Sequence, residues 1–198
     1  MDINTIRLRC AIGGAGMLLP IIVAVLLWRI PASISSTYYT YEAGPVFMII
    51  MGAAAAFLFA YKGYEKIDDV INTCASIAAL CICLFPCASN LKLVGTFQLP
   101  VNISAAIHNT SAFIFFGLLA FNSLFLFTKH AGEMTKKKKC RNIIYIACGI
   151  GMLASFLLLL LPWFYIKIWL IETIALFCFG ISWLTKASAY KWLAADQE

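Results

Sequence analysis

The chain has few charged residues, and acidic residues are the scarcest of them. Charged residues make up 12% of its 198 positions, with nine acidic side chains against fifteen basic ones and two histidines. Soluble domains hold roughly a quarter charged residues, so this composition excludes an ordinary soluble domain. Hydrophobic residues make up 63% and the mean hydropathy is +0.90, which is typical of an integral membrane protein.

The sequence also lacks the motifs that nucleotide, zinc or hydrolase chemistry requires. It has no P-loop and no GxGxxG, and no GxSxG turn exposes a serine nucleophile. Two histidines and eight cysteines without CxxC spacing are a poor set of zinc ligands. The scattered cysteines also predict no disulfide framework. We therefore predict no cofactor and no metal, and the enzyme question stays open with the balance against catalysis.

Six long apolar stretches dominate the sequence, at residues 10–30, 44–61, 69–85, 103–127, 142–165 and 168–185. Each is close to the roughly 20 residues with which a helix crosses a bilayer. Backbone groups in lipid must be bonded within the segment, which favours helices. The sequence thus predicts an all-α fold: a polytopic bundle of six transmembrane helices, as a single domain over residues 1–198. The first stretch exceeds the apolar core of a signal peptide, so we expect it in the mature protein.

Basic residues fall in alternate connections between these stretches. Only three of the fifteen, Arg29, Lys92 and Lys167, lie in the first, third and fifth connections. The others flank the first stretch or lie in the second connection, the fourth connection and the tail. Lysine and arginine bias short loops to the cytoplasmic side, so both termini are predicted to be cytoplasmic. The run Lys136–Lys139 is too short to indicate a nucleic-acid partner.

Polar residues near the opposite, outer ends of the helices are the candidate ligand-binding site. They are a guanidinium, an imidazole, a carboxyl and several hydroxyls: Arg29, Ser33, Ser35, Tyr38, Tyr39, His108 and Glu172. Ionisable groups are costly in a membrane and mark functional sites there. We expect Arg29 to contact an anion, His108 and Glu172 to form a proton-sensitive pair, and the tyrosines to act as a lid. The alternative is structural, with Glu172 pairing with Arg29 or His108 to hold helix ends together.

Two further groups of residues have a structural interpretation. Small residues recur on three of the helices, at Gly13, Gly14 and Gly16, at Gly52, Ala56 and Ala60, and at Gly151 and Ser155. Such stripes let helices approach closely, within one chain or between partners. At the inner ends, Asp68 and Asp69 suit a helix N-terminus, and we expect them to pair with Lys186 or Arg141.

Short motifs along nearly the whole chain resemble those of one group of membrane proteins. They are Ser33-Ile34-Ser35 with Tyr38-Tyr39-Thr40, Tyr61-Lys62-Gly63-Tyr64, Ala78-Ala79-Leu80, His108, Arg141-Asn142 with Tyr145, and Glu172 with Phe179-Gly180 and Ser182-Trp183-Leu184. Together they resemble uncharacterised bacterial six-helix integral membrane proteins, which carry domain-of-unknown-function labels and are distantly similar to DRAM/Sfk-like membrane proteins. The resemblance implies six helices in a bacterial inner membrane and no established catalysis or substrate.

Three functions remain open at this stage. The first is binding or transport of a small polar molecule or lipid head group through an outward-facing polar pocket, with membrane lipids as partners. The second is a non-catalytic scaffold whose small-residue stripes bind a second copy or another membrane protein. The third is an outer-face hydrolase that uses Ser33 or Ser35 with His108.

Overall fold

The computed structural model describes residues 3–63, 65–129, 134–159 and 168–187, and it confirms the predicted all-α class. Its elements are the α-helices α1 (Ile3–Leu27), α2 (Gly44–Ala60), α3 (Lys66–Leu84), α4 (Val101–Phe121), α5 (Lys136–Leu159) and α6 (Ile168–Lys186), a 3-10 helix at Ser35–Tyr39, a π-helix at Asn122–Leu126 and the strands β1 (Leu93–Val94) and β2 (Leu99–Pro100). The two strands pair antiparallel as a small ribbon between α3 and α4, which hydropathy did not predict.

Five of the described helices are long and apolar enough to cross a membrane: α1, α3, α5, α6, and α4 together with the π-helix that continues it. The sixth, α2, is equally apolar but has 17 residues. At a rise of about 1.5 Å per residue it reaches roughly 26 Å, at the short end of the spanning range. The chain therefore has the helices of a membrane-embedded protein.

Helix α1 is displaced along the sequence from its predicted bounds. It begins at Ile3 and ends before Trp28, whose φ of +50° places it in the left-handed region that terminates helices. Helix α5 begins at Lys136, six residues before the predicted start. Hydropathy excludes the lysines from the apolar stretch, but lysine has a high helix propensity, so they form the first turns of the helix. Residues 160–165 of that prediction, and Tyr64 of the motif above, lie outside the described residues.

A capping box sets the beginning of α3. Glu65 and Asp68 each bond the other's backbone N–H, with Glu65 N to Asp68 Oδ2 at 2.9 Å. The second aspartate, Asp69, forms an ion pair with Lys62 at 3.7 Å and accepts from Gly63 N at 2.9 Å. Asp69 therefore braces the α2–α3 connection instead of pairing with Lys186 or Arg141.

Each helix packs on the next along the chain, and α1 closes the ring against α6. We call the end with the loop 28–43, the α3–α4 connection and the start of α6 the pocket end. The other end, with the start of α1 and the end of α6, is the basic end. Gly13 and Gly180 make the α1–α6 contact so close that a Cβ on Gly180 would lie 2.6 Å from the Gly13 carbonyl oxygen. A Cβ on Gly52 meets nothing within 4 Å, so that stripe faces away from the bundle.

Candidate functional site

The loop after α1 is fastened to the beginning of α6 by three hydrogen bonds. The Ile34 backbone N–H and the Ser35 hydroxyl both donate to the Glu172 carboxylate, with Ser35 Oγ 2.9 Å from Glu172 Oε1. The Trp169 backbone N–H donates to the Ala32 carbonyl at 3.1 Å. Because the first N–H groups of a helix lack partners inside it, Glu172 stabilises the start of the 3-10 helix as a capping carboxylate does.

His108 is buried, with 3% of its surface exposed, and it joins α4 to the end of α3. Its Nδ1 lies 2.8 Å from the Phe85 carbonyl oxygen, and one turn earlier Ser104 Oγ donates to the Pro86 carbonyl at 2.8 Å. A carbonyl only accepts, so Nδ1 carries the proton in this contact. His108 therefore satisfies a carbonyl that the end of α3 leaves unbonded.

The paired tyrosines lie in the loop beside the site and fix that loop to its neighbours. Tyr39 donates from its hydroxyl to the Cys87 carbonyl at 2.6 Å, and its ring meets that of Tyr38 edge to face at 5.3 Å. Burial raises the pKa of both phenols, so they remain neutral donors at physiological pH. Burial, and secondarily the negative charge of Glu172, raises the pKa of the Cys87 thiol to about 11.

These elements enclose a cavity of about 720 Å³, within the roughly 300–1,000 Å³ of small-molecule sites. At the pocket end it is lined by polar side chains: Ser33, Ser35, Ser36, Cys87, His108, Asn109 and Glu172. Most of the remaining lining is apolar and comes from all six helices, with a group of rings at Phe47, Phe113, Phe115, Phe116 and Phe156. The cavity is therefore amphipathic, polar at one end and apolar over most of its length.

Between α4 and α5 the cavity lining includes residues that are exposed on the outer surface of the bundle. Phe113 on α4 and Leu153 and Leu157 on α5 line it, although 64%, 43% and 62% of their respective surfaces are exposed. The rings of Phe113 and Phe156 meet edge to face at 6.1 Å, so aromatic contacts cross this seam. The apolar lining of the cavity thus continues onto the exposed surface between α4 and α5.

The structure brings four of the seven predicted site residues to the cavity: Ser33, Ser35, His108 and Glu172. Tyr38 and Tyr39 lie in the same loop but are not part of the lining. Arg29 is exposed beyond the end of α1 and does not line the cavity, because the left-handed residue Trp28 ends the helix just before it. The sequence predicts Arg29 or His108 as the partner of Glu172. In the structure the Glu172 carboxylate instead accepts from the loop backbone and from Ser35.

The polar end of the cavity combines the Glu172 carboxylate, an acceptor, with hydroxyl and amide groups that both donate and accept. No lysine or arginine of the described chain lines it, and the ionisable groups that do are Glu172, His108 and Cys87. A carboxylate has about four lone-pair positions, so Glu172 retains acceptor capacity beyond its bonds to the loop. Without a lining cation from the described residues, the polar end favours a neutral or positively charged group over an anion.

The hydroxyls do not form the geometry of a serine hydrolase. Ser33 Oγ accepts from the Ser36 backbone N–H at 2.9 Å, and Ser35 donates directly to Glu172, while His108 bonds the Phe85 carbonyl. A serine nucleophile needs a histidine within hydrogen-bond reach, and within the described ranges no bond joins either serine to His108. The same residues contain no group of three or more His, Cys, Asp or Glu side chains that could hold a metal ion.

Sequence reasoning missed the apolar two-thirds of the site. Phe113, Phe116 and Phe156 resemble ordinary lipid-facing or core residues in the sequence, since helix phase alone does not tell a cavity wall from a packed wall. Three polar lining residues, Ser36, Cys87 and Asn109, were also not among the predicted site residues. No protein-family model, no curated protein and no solved structure matches the chain.

Proposed function

We propose that this protein is a multi-pass membrane protein that binds an amphiphile in the cavity between its helices. In this proposal all six helices cross a bacterial inner membrane, and the basic end, with both termini, faces the cytoplasm. The biased distribution of basic residues supports that orientation. The shape and polarity of the cavity carry the functional part of the proposal.

The amphipathic lining is the observation that favours an amphiphile over a small polar solute. Polar groups cluster at the pocket end, while the apolar part extends along α4, α5 and α6 to the seam that faces lipid. A small polar solute would leave most of this surface without a partner. A lipid with its head group near Glu172 and its chain beside Phe116 and Phe156 matches both parts.

The Glu172 carboxylate, with no lysine or arginine of the described residues in the lining, further selects the head group. An ammonium or a hydroxyl donates to Glu172, whereas a carboxylate or a phosphate would place a second negative group beside this carboxylate. We therefore propose a neutral or cationic head group, such as an amine or a polyol. The sequence predicts that Arg29 contacts an anion. Because Arg29 lies outside the cavity, an anionic head group in the cavity would lack this cation.

Photolabelling in lipid nanodiscs tests this proposal. A long-chain alkylamine and a fatty acid of equal length, each carrying a diazirine on the chain, are compared on the full-length protein, and labelled residues are mapped by mass spectrometry. We expect the amine to label cavity residues of α4 and α5 in preference to the fatty acid. Replacing Glu172 with Gln should reduce that preference.

Two glycines provide a matched pair of variants. A Cβ on either Gly117 or Gly52 meets nothing within 4 Å, but only Gly117 lines the cavity. Gly117→Leu displaces about two methylene groups of a bound chain, at about 0.8 kcal/mol each, so cavity labelling should fall about tenfold. Gly52→Leu should leave it unchanged. Equal labelling of wild type and Gly117→Leu would refute binding in the cavity.

The scaffold function stays a prediction with its own test. The stripe of Gly52, Ala56 and Ala60 faces outwards, with the last two exposed, and outward small residues suit close helix contact with a partner. A defined membrane protein that co-purifies with the wild type and is lost from Gly52→Leu would support this alternative. The same variant would then retain amine labelling, so the two functions are separable.

A further inference from the structure

The small β-ribbon between α3 and α4 presents apolar side chains on the face that points away from the bundle. Successive side chains of a strand point to opposite faces, and accordingly Val94 is 3% exposed while Leu93 is 52% exposed. Leu91, two residues before Leu93, and Phe97, in the turn of the ribbon, are exposed to a similar extent. The outer face of the ribbon is therefore apolar, although it lies outside the helices.

The turn of the ribbon is seated on the end of α3, which fixes the direction of its outer face. Gly95 has a φ of +72° and approaches Pro86 so closely that a Cβ on this glycine would lie 2.9 Å from Pro86 Cδ. The rings of Phe97 and Phe85 stack with their centres 5.5 Å apart. The exposed apolar surface is thus part of a packed structure.

The charge of this segment suits an anionic lipid surface. Lys92, exposed between the two leucines, is the only charged residue from 86 to 102. A lysine beside apolar side chains is typical of segments that lie at the boundary between lipid head groups and acyl chains. Trp28 and Tyr41, which are almost fully exposed in the loop 28–43 of the same end, are residue types enriched at that boundary.

The area and the position of the ribbon favour lipid over a protein partner. Its three half-exposed large side chains offer roughly 300 Å² in total, whereas a specific protein interface buries about 800 Å² per partner. A lipid layer sets no such minimum. The ribbon also connects α3 to α4, both of which are long and apolar enough to cross a membrane, so it would lie where these two helices leave the bilayer.

We propose that the ribbon lies in the head-group layer of the membrane, with Leu91, Leu93 and Phe97 against acyl chains and Lys92 on lipid phosphate. This inference rests on the membrane placement in the proposed function, and it is independent of the cavity and its ligand. In the proposed orientation the ribbon contacts the outer leaflet.

Site-specific photocrosslinking to lipid tests this placement. The photoreactive residue benzoylphenylalanine is introduced singly at Leu93, Phe97, Ile77 or Glu42 of the full-length protein in nanodiscs of phosphatidylglycerol and phosphatidylcholine. Ile77, exposed on α3, is the lipid-facing control, and Glu42, an exposed carboxylate at the same end as the ribbon, is the aqueous control. After irradiation, the yield of lipid adducts at Leu93 and Phe97 should be closer to that at Ile77 than to that at Glu42.

The controls separate failure of the ribbon placement from failure of the membrane placement. Yields at Leu93 and Phe97 no higher than at Glu42, with Ile77 labelled, would overturn the ribbon placement alone. Absence of lipid adducts at Ile77 as well would overturn both. Cross-links from Leu93 or Phe97 to a second copy of the chain, in place of lipid, would show a protein interface and would also overturn the proposal.

Variants of Lys92 test the phosphate contact. In Lys92→Gln the ratio of phosphatidylglycerol to phosphatidylcholine adducts at Leu93 should fall about fivefold, which corresponds to about 1 kcal/mol per basic residue near an anionic surface. Lys92→Arg keeps the charge and should retain the ratio of the wild type. An unchanged ratio in Lys92→Gln would overturn the contact between Lys92 and lipid phosphate.

Discussion

The bond between Ser35 and Glu172 is the contact that most directly connects the loop after α1 to the candidate site. Ser35 Oγ lies 2.9 Å from Glu172 Oε1, in a part-buried position. A hydrogen bond to a charged group contributes about 1.5–3 kcal/mol, and we take the lower half of this range because Glu172 is only part-buried. Ser35→Ala should therefore lower the free energy of unfolding by about 1.5–2 kcal/mol. For a chain of this size that is a fall in Tm of about 3–8 °C.

The double-mutant cycle isolates this interaction. Glu172→Gln keeps one acceptor but presents an amide N–H₂ to the Ile34 backbone N–H, so it should cost about 2–3 kcal/mol. Once Glu172 is replaced, Ser35→Ala should cost much less. We expect a coupling energy of about 1–2 kcal/mol. Unfolding of the full-length protein in mixed micelles, followed by tryptophan fluorescence, measures all four variants.

A second cycle supplies the control and the result that would refute the reasoning. Arg29 is exposed and apart from the cavity, so Arg29→Ala and Glu172→Gln should be additive within about 0.5 kcal/mol. A measurable coupling energy between Arg29 and Glu172, with no coupling energy between Ser35 and Glu172, would mean that an Arg29–Glu172 ion pair holds the loop. The description of the site would then be wrong.

Three further predictions concern other parts of the molecule. Gly180→Ala should lower the free energy of unfolding by more than about 2 kcal/mol, because its Cβ would lie 2.6 Å from the facing backbone carbonyl oxygen of α1. Gly14→Ala, which has open space around its Cβ, should leave thermal stability unchanged or raise it. Equal effects of the two variants would refute the close crossing of α1 and α6. Burial raises the pKa of the Cys87 thiol to about 11, so little of it is the reactive thiolate at pH 8. Cys87 should therefore react slowly with iodoacetamide at pH 8 and faster as the pH rises towards 11. A rate at pH 8 equal to that of the unfolded chain would contradict this prediction. Asn122→Ala should lower the free energy of unfolding by about 1–3 kcal/mol, because it removes the buried hydrogen bond of 3.0 Å from Asn122 Nδ2 to Asn72 Oδ1. A change under about 0.5 kcal/mol would show that this pair is not a stabilising contact.

Local sequence properties were sufficient for the class of fold and the position of most helices. Hydropathy marks α2 and α6 to within one residue of their described bounds, because the apolar stretch and the helix coincide in both. It fails at α5, where the lysines before Arg141 are helical but not apolar. The beginning of α3 is also set by capping at Glu65 and Asp68, which hydropathy does not measure.

The composition of the candidate site was only partly readable in the sequence. His108 and Glu172 stood out because ionisable groups are rare in apolar helices, and both line the cavity. The sequence offered no means of deciding their partners. His108 bonds the Phe85 carbonyl and Glu172 bonds the loop at Ile34 and Ser35, contacts that depend on how far each helix is rotated and where its neighbour ends.

The amino-acid sequence by itself determined that this is an all-α protein with helices long and apolar enough to cross a membrane, because apolar length is a local quantity. Only the tertiary structure decided which polar residues share a cavity, that Arg29 lies outside it, and that Arg9 meets Lys186 across 177 positions of sequence. These outcomes depend on the order of the helices around the ring and on close approaches such as Gly13 with Gly180. Packing of the whole chain sets both, and no single segment encodes them.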